Sequence, residues 1–275
     1  MIAVDFSGVA IAAIQAEALS GENITLELTR HKVLNSIRSC RVRFHRKFGE
    51  IVLCFDSKNL WRKTIYPYYK ATRKKMRDDS DVDWTTIYEY IETLTDEFSK
   101  NLPYKCIKVD TCEADDIISV LSRKTPGPHL IYSSDKDFIQ LLSNPMISLF
   151  SPRKEEYITH ENPDYYLFYH IIKGDVGDGV TNILSDTDTL ITECKRQKPV
   201  FDKKILEWYD NRSLIPDIQR FELNESVISL YKIPEEIENS ILDKYTHTEV
   251  GKRMNLLPYF LKYKLDFLSD RISDF

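Results

Sequence analysis

Three acidic residues lie within four positions of the sequence, directly before an apolar run. They are Glu113, Asp115 and Asp116, in the segment Thr111–Ile118. At a helix N-terminus, Glu113 and Asp116 share a face, and the helix dipole favours their negative charge. Three carboxylates this close still repel one another unless a cation lies between them. Hard divalent cations such as Mg²⁺ and Mn²⁺ prefer oxygen ligands, so the pattern predicts a metal site.

More acids follow the apolar runs that we predict as strands, at residues 1–4, 51–55, 103–109 and 129–132. The acids beyond these runs are Asp5, Asp56, the Glu113 cluster, Asp135 and Asp137. In open α/β sheets the carboxyl ends of the strands share one ligand-binding edge, so we expect these carboxylates to converge.

Asp175 and Asp178 lie among three glycines at residues 174–179. Taken singly, either residue is typical of a turn or a helix N-cap. As part of a set of nine carboxylates they favour two hard cations about 4 Å apart, as in two-metal sites that cleave phosphodiesters.

Residues 58–77 hold eight basic residues and no acid, in a chain whose net charge is −5. Most charge runs are solvated surface. Here Trp61, Tyr66, Tyr68 and Tyr69 are interleaved with the basic residues, which favours a stacking platform for single-stranded nucleic acid. We predict nucleic-acid contacts at Tyr69, Lys63, Arg73, Lys74 and Lys75.

The order of strand and helix patterns predicts an α/β fold with a doubly wound, mostly parallel sheet. We place this domain at 1–180, with a basic bridge or arch at about 57–82, and a helical domain for DNA binding and partner docking at 181–275. The five cysteines lack a C-x-x-C spacing, which favours a reduced, cytoplasmic protein. We expect no membrane span, and structural or surface roles for all six histidines.

Six motifs of this chain occur in the order and spacing of the flap endonuclease / 5′-to-3′ exonuclease family. They are Ile2-Ala3-Val4-Asp5-Phe6-Ser7, Val52-Leu53-Cys54-Phe55-Asp56, Trp61-Arg62-Lys63 with Tyr68-Tyr69-Lys70, Glu113-Ala114-Asp115-Asp116, Ser134-Asp135-Lys136-Asp137 and Lys173-Gly174-Asp175-Val176-Gly177-Asp178. Each motif alone is weak, but the combination is specific. The resemblance covers nearly the whole chain and is nearest to the ribonuclease H group of T-even-like bacteriophages.

The resemblance implies a 5′-to-3′ nuclease with RNase H and flap endonuclease activity. Its cofactors would be two Mg²⁺ ions, for which Mn²⁺ substitutes. Its substrates would be RNA–DNA hybrids, 5′ flaps or forked DNA, cut to remove RNA primers and adjacent DNA from lagging-strand fragments. A single-stranded-DNA-binding protein and a sliding clamp are the expected partners of a monomeric enzyme.

Residue roles follow from the same resemblance. The first metal would be held by Asp5, Asp56, Glu113 and Asp115. The second would be surrounded by Asp116, Asp135, Asp137, Asp175 and Asp178. Lys70 and Arg62 would reach the scissile phosphate, and Tyr69 would stack on a base. Residues 180–186 depart from the family pattern, because they lack the Gly-Ile-Gly turn with which many members grip duplex DNA and often bind K⁺.

Two other functions compete with the nuclease. A non-catalytic nucleic-acid or replisome-binding protein would use the basic segment, but would gain nothing from nine clustered carboxylates. A metal-dependent phosphatase for small molecules would use the carboxylates and leave residues 58–77 unexplained. Cleavage that requires Mg²⁺ separates the first alternative from the nuclease, and steep salt dependence of binding separates the second.

Overall fold

A mixed β-sheet lies at the centre of the protein. The computed structural model describes residues 1–20, 23–78 and 82–275, without the side chains of residues 20, 74–76 and 78. Within these ranges, six strands form one sheet in the order β3-β2-β1-β4-β5-β6. Their bounds are β1 (Ile2–Asp5), β2 (Ile51–Phe55), β3 (Lys105–Lys108), β4 (His129–Tyr132), β5 (Ile147–Ser151) and β6 (Glu156–Ile158).

Strands β1 to β5 pair in parallel, and β6 is antiparallel to β5. The strand order reverses between β1 and β4, which is the topological switch point of a doubly wound sheet. The predicted α/β class is therefore confirmed. Strand β3 is shorter than the predicted run at 103–109, since only residues 105–108 pair with β2.

Helices cover both faces of the sheet because alternate strand residues point to opposite sides. Ile2 and Val4 face a cluster that includes α1 (Phe6–Ser20), α2 (Leu26–Phe48) and α5 (Trp84–Asn101). Ala3 faces a second cluster, formed with α6 (Ala114–Lys124) and the 3₁₀ helix at Asp137–Ser143. Both clusters are fully buried apolar layers, so the sheet is held rigidly from both sides.

The chain beyond the sheet is helical. Its helices are α7 (Pro163–Lys173), α8 (Asp202–Asp210), α9 (Ile218–Ile228), α10 (Glu235–His247), α11 (Leu256–Lys262) and α12 (Asp266–Ser269). Tyr259 and Phe275 belong to the cluster on one face of the sheet, and Ile241 of α10 belongs to the other. The domain boundary at residue 180 stays a prediction, and apolar packing crosses it on both faces.

The predicted bridge contains two short helices, α3 (Arg62–Ile65) and α4 (Ala71–Asp78). Its start is attached to the loop before α6, because the N–H of Ser57 donates to the carbonyl of Cys112 and the N–H of Trp61 to that of Thr111, both at 2.9 Å. No helix in the described ranges is long and apolar enough to cross a bilayer.

A buried ion pair joins α2, α5 and α11. The Arg30 guanidinium donates two hydrogen bonds to Glu97, at 2.7 and 2.9 Å, and the Tyr259 hydroxyl donates a third at 2.7 Å. Burial raises the pKa of Glu97, but Arg30 and Tyr259 outweigh it and hold this pKa below its ordinary value. The pair therefore depends on an ionised Glu97, and it ties the C-terminal helices to the sheet layer.

We expect Glu97→Gln to lower the free energy of unfolding by about 3 kcal/mol, because it leaves a buried guanidinium without its counter-charge. Glu92→Gln on the same helix is the control. Glu92 pairs with Lys58 at the surface, where solvent screens such pairs and they contribute little to stability. Urea unfolding measures both, and equal losses would contradict the assigned role.

The contribution of Glu97 should also depend on pH. Its folded pKa lies below the ordinary value of 4.5, so its stabilisation is present above pH 4.5 and is lost as pH falls through the lower folded pKa. The difference in unfolding free energy between wild type and Glu97→Gln should therefore shrink on acidification below pH 4.5. A difference that grew instead would show that the carboxylate acts in its protonated form.

Candidate active site

The end of β1 places Asp5 at the switch point. One carboxylate oxygen accepts the N–H of Gly8 at 2.9 Å, and the other accepts the Ser133 hydroxyl beyond β4 at 2.8 Å. A Cβ on Gly8 would lie 2.2 Å from Asp5 Oδ2, so a side chain at this position would displace the carboxylate. Asp5 is thus fixed between the two strands where the sheet order reverses.

The end of β2 places Asp56 against the start of α6. Its Oδ1 accepts the N–H of Ala114 at 2.8 Å, which satisfies one of the unpaired donors at that helix N-terminus. Glu113, the residue before α6, and Asp115 in its first turn are thereby brought to the edge where Asp5 lies.

The carboxylates at this edge lie close enough to shift one another's titration. Burial, followed by the charges of Asp56 and Asp135, raises the pKa of Asp5 to about 6. Burial and Asp135 likewise raise the pKa of Asp137 to about 7. The pKa of Asp115 lies well above its ordinary value because of burial, Asp135 and Asp5. Several acids that resist ionisation together, all with oxygen donors, fit hard divalent cations.

A second group forms where α7 ends at Gly174. Asp175 follows this glycine, and its Oδ1 accepts the N–H of Asp178 at 3.1 Å. The ring of His170, in the last turn of α7, has one nitrogen 3.6 Å from Asp137 and the other 3.6 Å from Asp175. The described site therefore includes a histidine between two of the predicted metal ligands.

The charges of this group are interdependent. Burial lowers the pKa of His170, but the nearby carboxylates of Asp175 and Asp137 raise it above the ordinary value. Burial raises the pKa of Asp175, and His170 more than offsets this, so that the Asp175 pKa is lowered. From the sequence, His170 was predicted to have a structural or surface role. Its position four residues before Gly174, in the final turn of a helix that ends at the Asp175 motif, was the available signal.

The Asp116 carboxylate is surrounded by hydrogen-bond donors of the protein. Its carboxylate is fully buried and receives the Arg62 guanidinium at 2.7 and 2.9 Å and the Trp61 indole N–H at 3.0 Å. It also accepts the N–H of Glu113 at 3.0 Å, which closes a capping box. The ligand role predicted for Asp116 stays a prediction, and these contacts give it a structural one.

Arg62 is equally enclosed. Besides Asp116, its donors reach Glu113 Oε2 at 3.2 Å and the carbonyl of Val227 at 2.8 Å, and the residue is 2% exposed. The predicted contact of Arg62 with a phosphate is not tested. In the described geometry its donors are directed at protein groups that join the bridge to α6 and α9.

The bridge places three other residues beside the acids. The Tyr69 hydroxyl lies 2.8 Å from both Glu113 and Asp178. Lys70 contacts Glu113 through its side-chain ammonium group. The backbone N–H of Lys70 donates to the carbonyl of Asp178 at 2.7 Å. Arg73 contacts Asp178 and keeps 45% of its side chain exposed. The bridge is thus held against the loop that carries Asp175 and Asp178.

The predicted nucleic-acid contacts have different surroundings. Tyr69 is 4% exposed, and Lys63 is exposed on α3. The side chains of Lys74 and Lys75 lie outside the described part of the chain. The contacts predicted for these residues and for Arg73 stay predictions.

One small cavity collects five of the nine predicted metal ligands. It is lined by Arg62, Tyr69, Glu113, Asp115, Asp137, Asp175 and Asp178, together with Val180, Val227, Ile228 and Leu230. Asp5, Asp56, Asp116 and Asp135 are not part of its lining. The charges of Asp5 and Asp135 nevertheless raise the pKa of Asp115, which lines the cavity. The charge of Asp56 in turn raises the pKa of Asp5.

Comparison with known proteins assigns this chain to a family. The model of the 5′-3′ exonuclease N-terminal resolvase-like domain matches residues 17–166, and a model named T4 RNase H, C terminal, matches residues 162–275. The chain belongs to the flap endonuclease / 5′-to-3′ exonuclease family. The predicted family and enzyme class, a nuclease, are therefore confirmed.

Individual relatives agree with this assignment. The chain is 30% identical to ribonuclease H of Enterobacteria phage T4, over 99% of this chain and 94% of the relative. It is 35% identical to the flap endonuclease Xni of Shewanella sp. MR-4, over 36% of this chain and 35% of the relative. The fold matches a structure of the bacteriophage T5 D15 flap endonuclease solved with DNA and metal ions. That match has a TM-score of 0.59 at 13% identity, over 90% of this chain and 99% of the other.

The effect of substitution on stability should distinguish Asp116 from the other acids. We expect Asp116→Asn to lower the unfolding free energy by about 3 kcal/mol, because it breaks a buried ion pair with Arg62. Asp135→Asn is the matched control, since Asp135 is exposed and its charge opposes ionisation of Asp5 and Asp137. We expect this control to leave stability unchanged or to raise it.

The two variants are compared by urea unfolding at neutral pH in EDTA, so that bound cations do not contribute. A loss in Asp135→Asn as large as that in Asp116→Asn would contradict the distinction.

Proposed function

We propose that the chain is a Mg²⁺-dependent 5′-to-3′ nuclease that uses two cations to hydrolyse phosphodiester bonds in RNA–DNA hybrids and 5′ flaps. The observation that carries this proposal is the convergence at one cavity of carboxylates that follow separate strands. Lys70 of the bridge contacts one of them, Glu113. Carboxylates alone repel a phosphodiester, so cations and a basic segment are both needed before such a substrate can approach.

The fit to metal rests on the donor set. Asp5, Asp56, Glu113 and Asp115 would hold one cation, and Asp135, Asp137, Asp175 and Asp178 would surround the other. Two divalent cations bound by these residues would supply an activated water and stabilise the leaving oxygen. The hydrogen bonds to Asp5 from Gly8 and Ser133 orient that carboxylate before any cation binds.

Lys70 and Arg73 are the cations that we assign to the substrate phosphate. Burial lowers the pKa of Lys70, but Asp178 and Glu113 raise it above its ordinary value, so the ammonium is charged at neutral pH. A positive group at this position would stabilise charge that builds up on the phosphoryl oxygens. We assign Arg73 to this role in place of Arg62, because Arg73 is partly exposed beside Asp178 and Arg62 is enclosed by protein partners.

The remaining residues have supporting roles in this proposal. Arg62 and Asp116 fix the start of the bridge against α6, and the Tyr69 hydroxyl restrains Glu113 or Asp178. Removal of RNA primers and adjacent DNA during lagging-strand synthesis is the biological role that we propose, supported by the likeness to phage T4 ribonuclease H. The predicted partner proteins, monomeric state and cytoplasmic location stay predictions.

The test uses a 5′-labelled RNA–DNA primer annealed to a longer template, with and without a 5′ flap. We expect short 5′-terminal products with Mg²⁺, none with EDTA, and at least about a 10²-fold lower rate for Asp135→Asn, which removes one carboxylate from the second cation. Asp243→Asn, at an exposed position on α10, is the control and should cleave at the wild-type rate.

Substrate binding is measured in parallel with the same labelled substrates. Tight binding with no product under any divalent cation would overturn the nuclease and favour a non-catalytic binding protein. Product lengths distinguish stepwise trimming from flap cutting.

We expect Lys70→Ala to lower the single-turnover rate by about 10²-fold, because one stabilising charge is lost from the reacting phosphate. Its binding of divalent cations should persist, since Lys70 is not itself a ligand. Lys100→Ala, an exposed lysine paired with Asp96 on α5, is the control for removal of one positive charge. Equal rates for Lys70→Ala and wild type would exclude Lys70 from the reaction.

A further inference from the structure

The group formed by Asp137, His170 and Asp175 differs chemically from the rest of the site. Each of these side chains offers one ligand atom, and these atoms all lie within 4.8 Å of one another. The other carboxylates at the sheet edge offer oxygen alone, whereas His170 offers an imidazole nitrogen. Imidazole is a preferred ligand of transition-metal dications, and Mg²⁺ is bound mainly through carboxylates, phosphates and waters.

The ring of His170 is oriented in the way that metal-binding histidines require. Its two nitrogens face different carboxylates, Asp137 and Asp175, each at 3.6 Å. This separation is long for a hydrogen bond. It is close to the spacing of about 3.0–3.4 Å between neighbouring ligands of an ion with bonds of about 2.1 Å.

When one ring nitrogen binds a cation beside Asp137, the N–H of the other is directed at Asp175. A metal-ligating histidine usually donates its second ring N–H to a carboxylate or carbonyl in this way.

Local structure holds His170 in place before any ion binds. It lies in the last turn of α7, where its carbonyl accepts the N–H of Gly174 at 2.8 Å. Its ring packs edge-on against Tyr166 with centroids 6.1 Å apart. The side chain is 19% exposed. It is therefore already restrained, and binding an ion would cost little further side-chain entropy.

We propose that His170 is a direct nitrogen ligand of the second cation and makes that site prefer transition-metal dications to Mg²⁺. This inference rests on the proposed function, since it assigns a ligand to one of the two cations. The first site, with Asp5, Asp56, Glu113 and Asp115, offers oxygen alone and would keep the preference of a hard site for Mg²⁺. The two sites of one nuclease would then differ in the metal that each selects.

The test titrates metal-free protein with Mn²⁺ and, separately, with Mg²⁺ by isothermal calorimetry. In the wild type we expect one site at which Mn²⁺ binds at least about tenfold more tightly than Mg²⁺. His170→Gln keeps a polar side chain of similar reach and removes the nitrogen ligand. It should lower Mn²⁺ affinity at that site by about tenfold or more and change Mg²⁺ affinity by less than about threefold.

His247→Gln is the matched control. His247 lies 3.1 Å from Asp243 on the exposed face of α10, so it is also a histidine beside a carboxylate, and its loss should change neither affinity. If His170 acted only as a positive charge between two acids, His170→Gln would bind each metal at least as tightly as the wild type does. That result would overturn the proposal.

Pulsed EPR of Mn²⁺ bound to the wild-type protein gives a second readout that needs no variant. Coupling to a ¹⁴N nucleus, replaced by ¹⁵N coupling after histidine labelling, is the expected result. Absence of nitrogen coupling in the fully loaded protein would refute the ligand assignment even where Mg²⁺-dependent cleavage persists. A protein that binds neither metal and cleaves nothing would instead refute the proposed nuclease function.

Discussion

The repulsion among carboxylates at the carboxyl edge of the sheet is the constraint on which the rest of the site depends. A parallel sheet with a switch point brings its strand ends to one edge, and in this chain those ends carry acids. Burial and neighbouring charge raise the pKa of Asp5 to about 6 and that of Asp137 to about 7. Such an edge forms only because the apolar layers on both faces of the sheet stabilise the fold independently of it.

Directed hydrogen bonds hold the acids against this repulsion. Gly8 and Ser133 bind Asp5, and the first free N–H of α6 binds Asp56. These donors stabilise an ionised carboxylate and also fix its direction. The same donors that offset repulsion among the carboxylates therefore also preorganise these carboxylates for cations. Metal ligands must be charged and correctly placed.

The basic residues of the bridge have two different roles, although they look alike in sequence. Arg62 is buried against Asp116 and Val227, where a planar guanidinium satisfies several acceptors at once. Lys70 and Arg73 instead contact Glu113 and Asp178, two of the acids that line the cavity. The first set attaches the bridge to the fold, and the second brings positive charge to the acids. Gly179, with φ of +75° and a Cβ position 2.7 Å from the carbonyl of Tyr68, allows the two loops this close approach.

The sequence by itself determined the sheet class, most strand positions and the carboxyl-end location of Asp5, Asp56 and Asp135, because apolar runs and the acids that end them are local patterns. Tertiary structure alone decided which acids share a cavity. Asp115 and Asp116 are neighbours on one helix, yet the first faces the other carboxylates and the second faces Arg62, since successive helical residues point about 100° apart. His170 had no local metal-type spacing, and only the meeting of α7 with the loop after β4 sets it between Asp137 and Asp175.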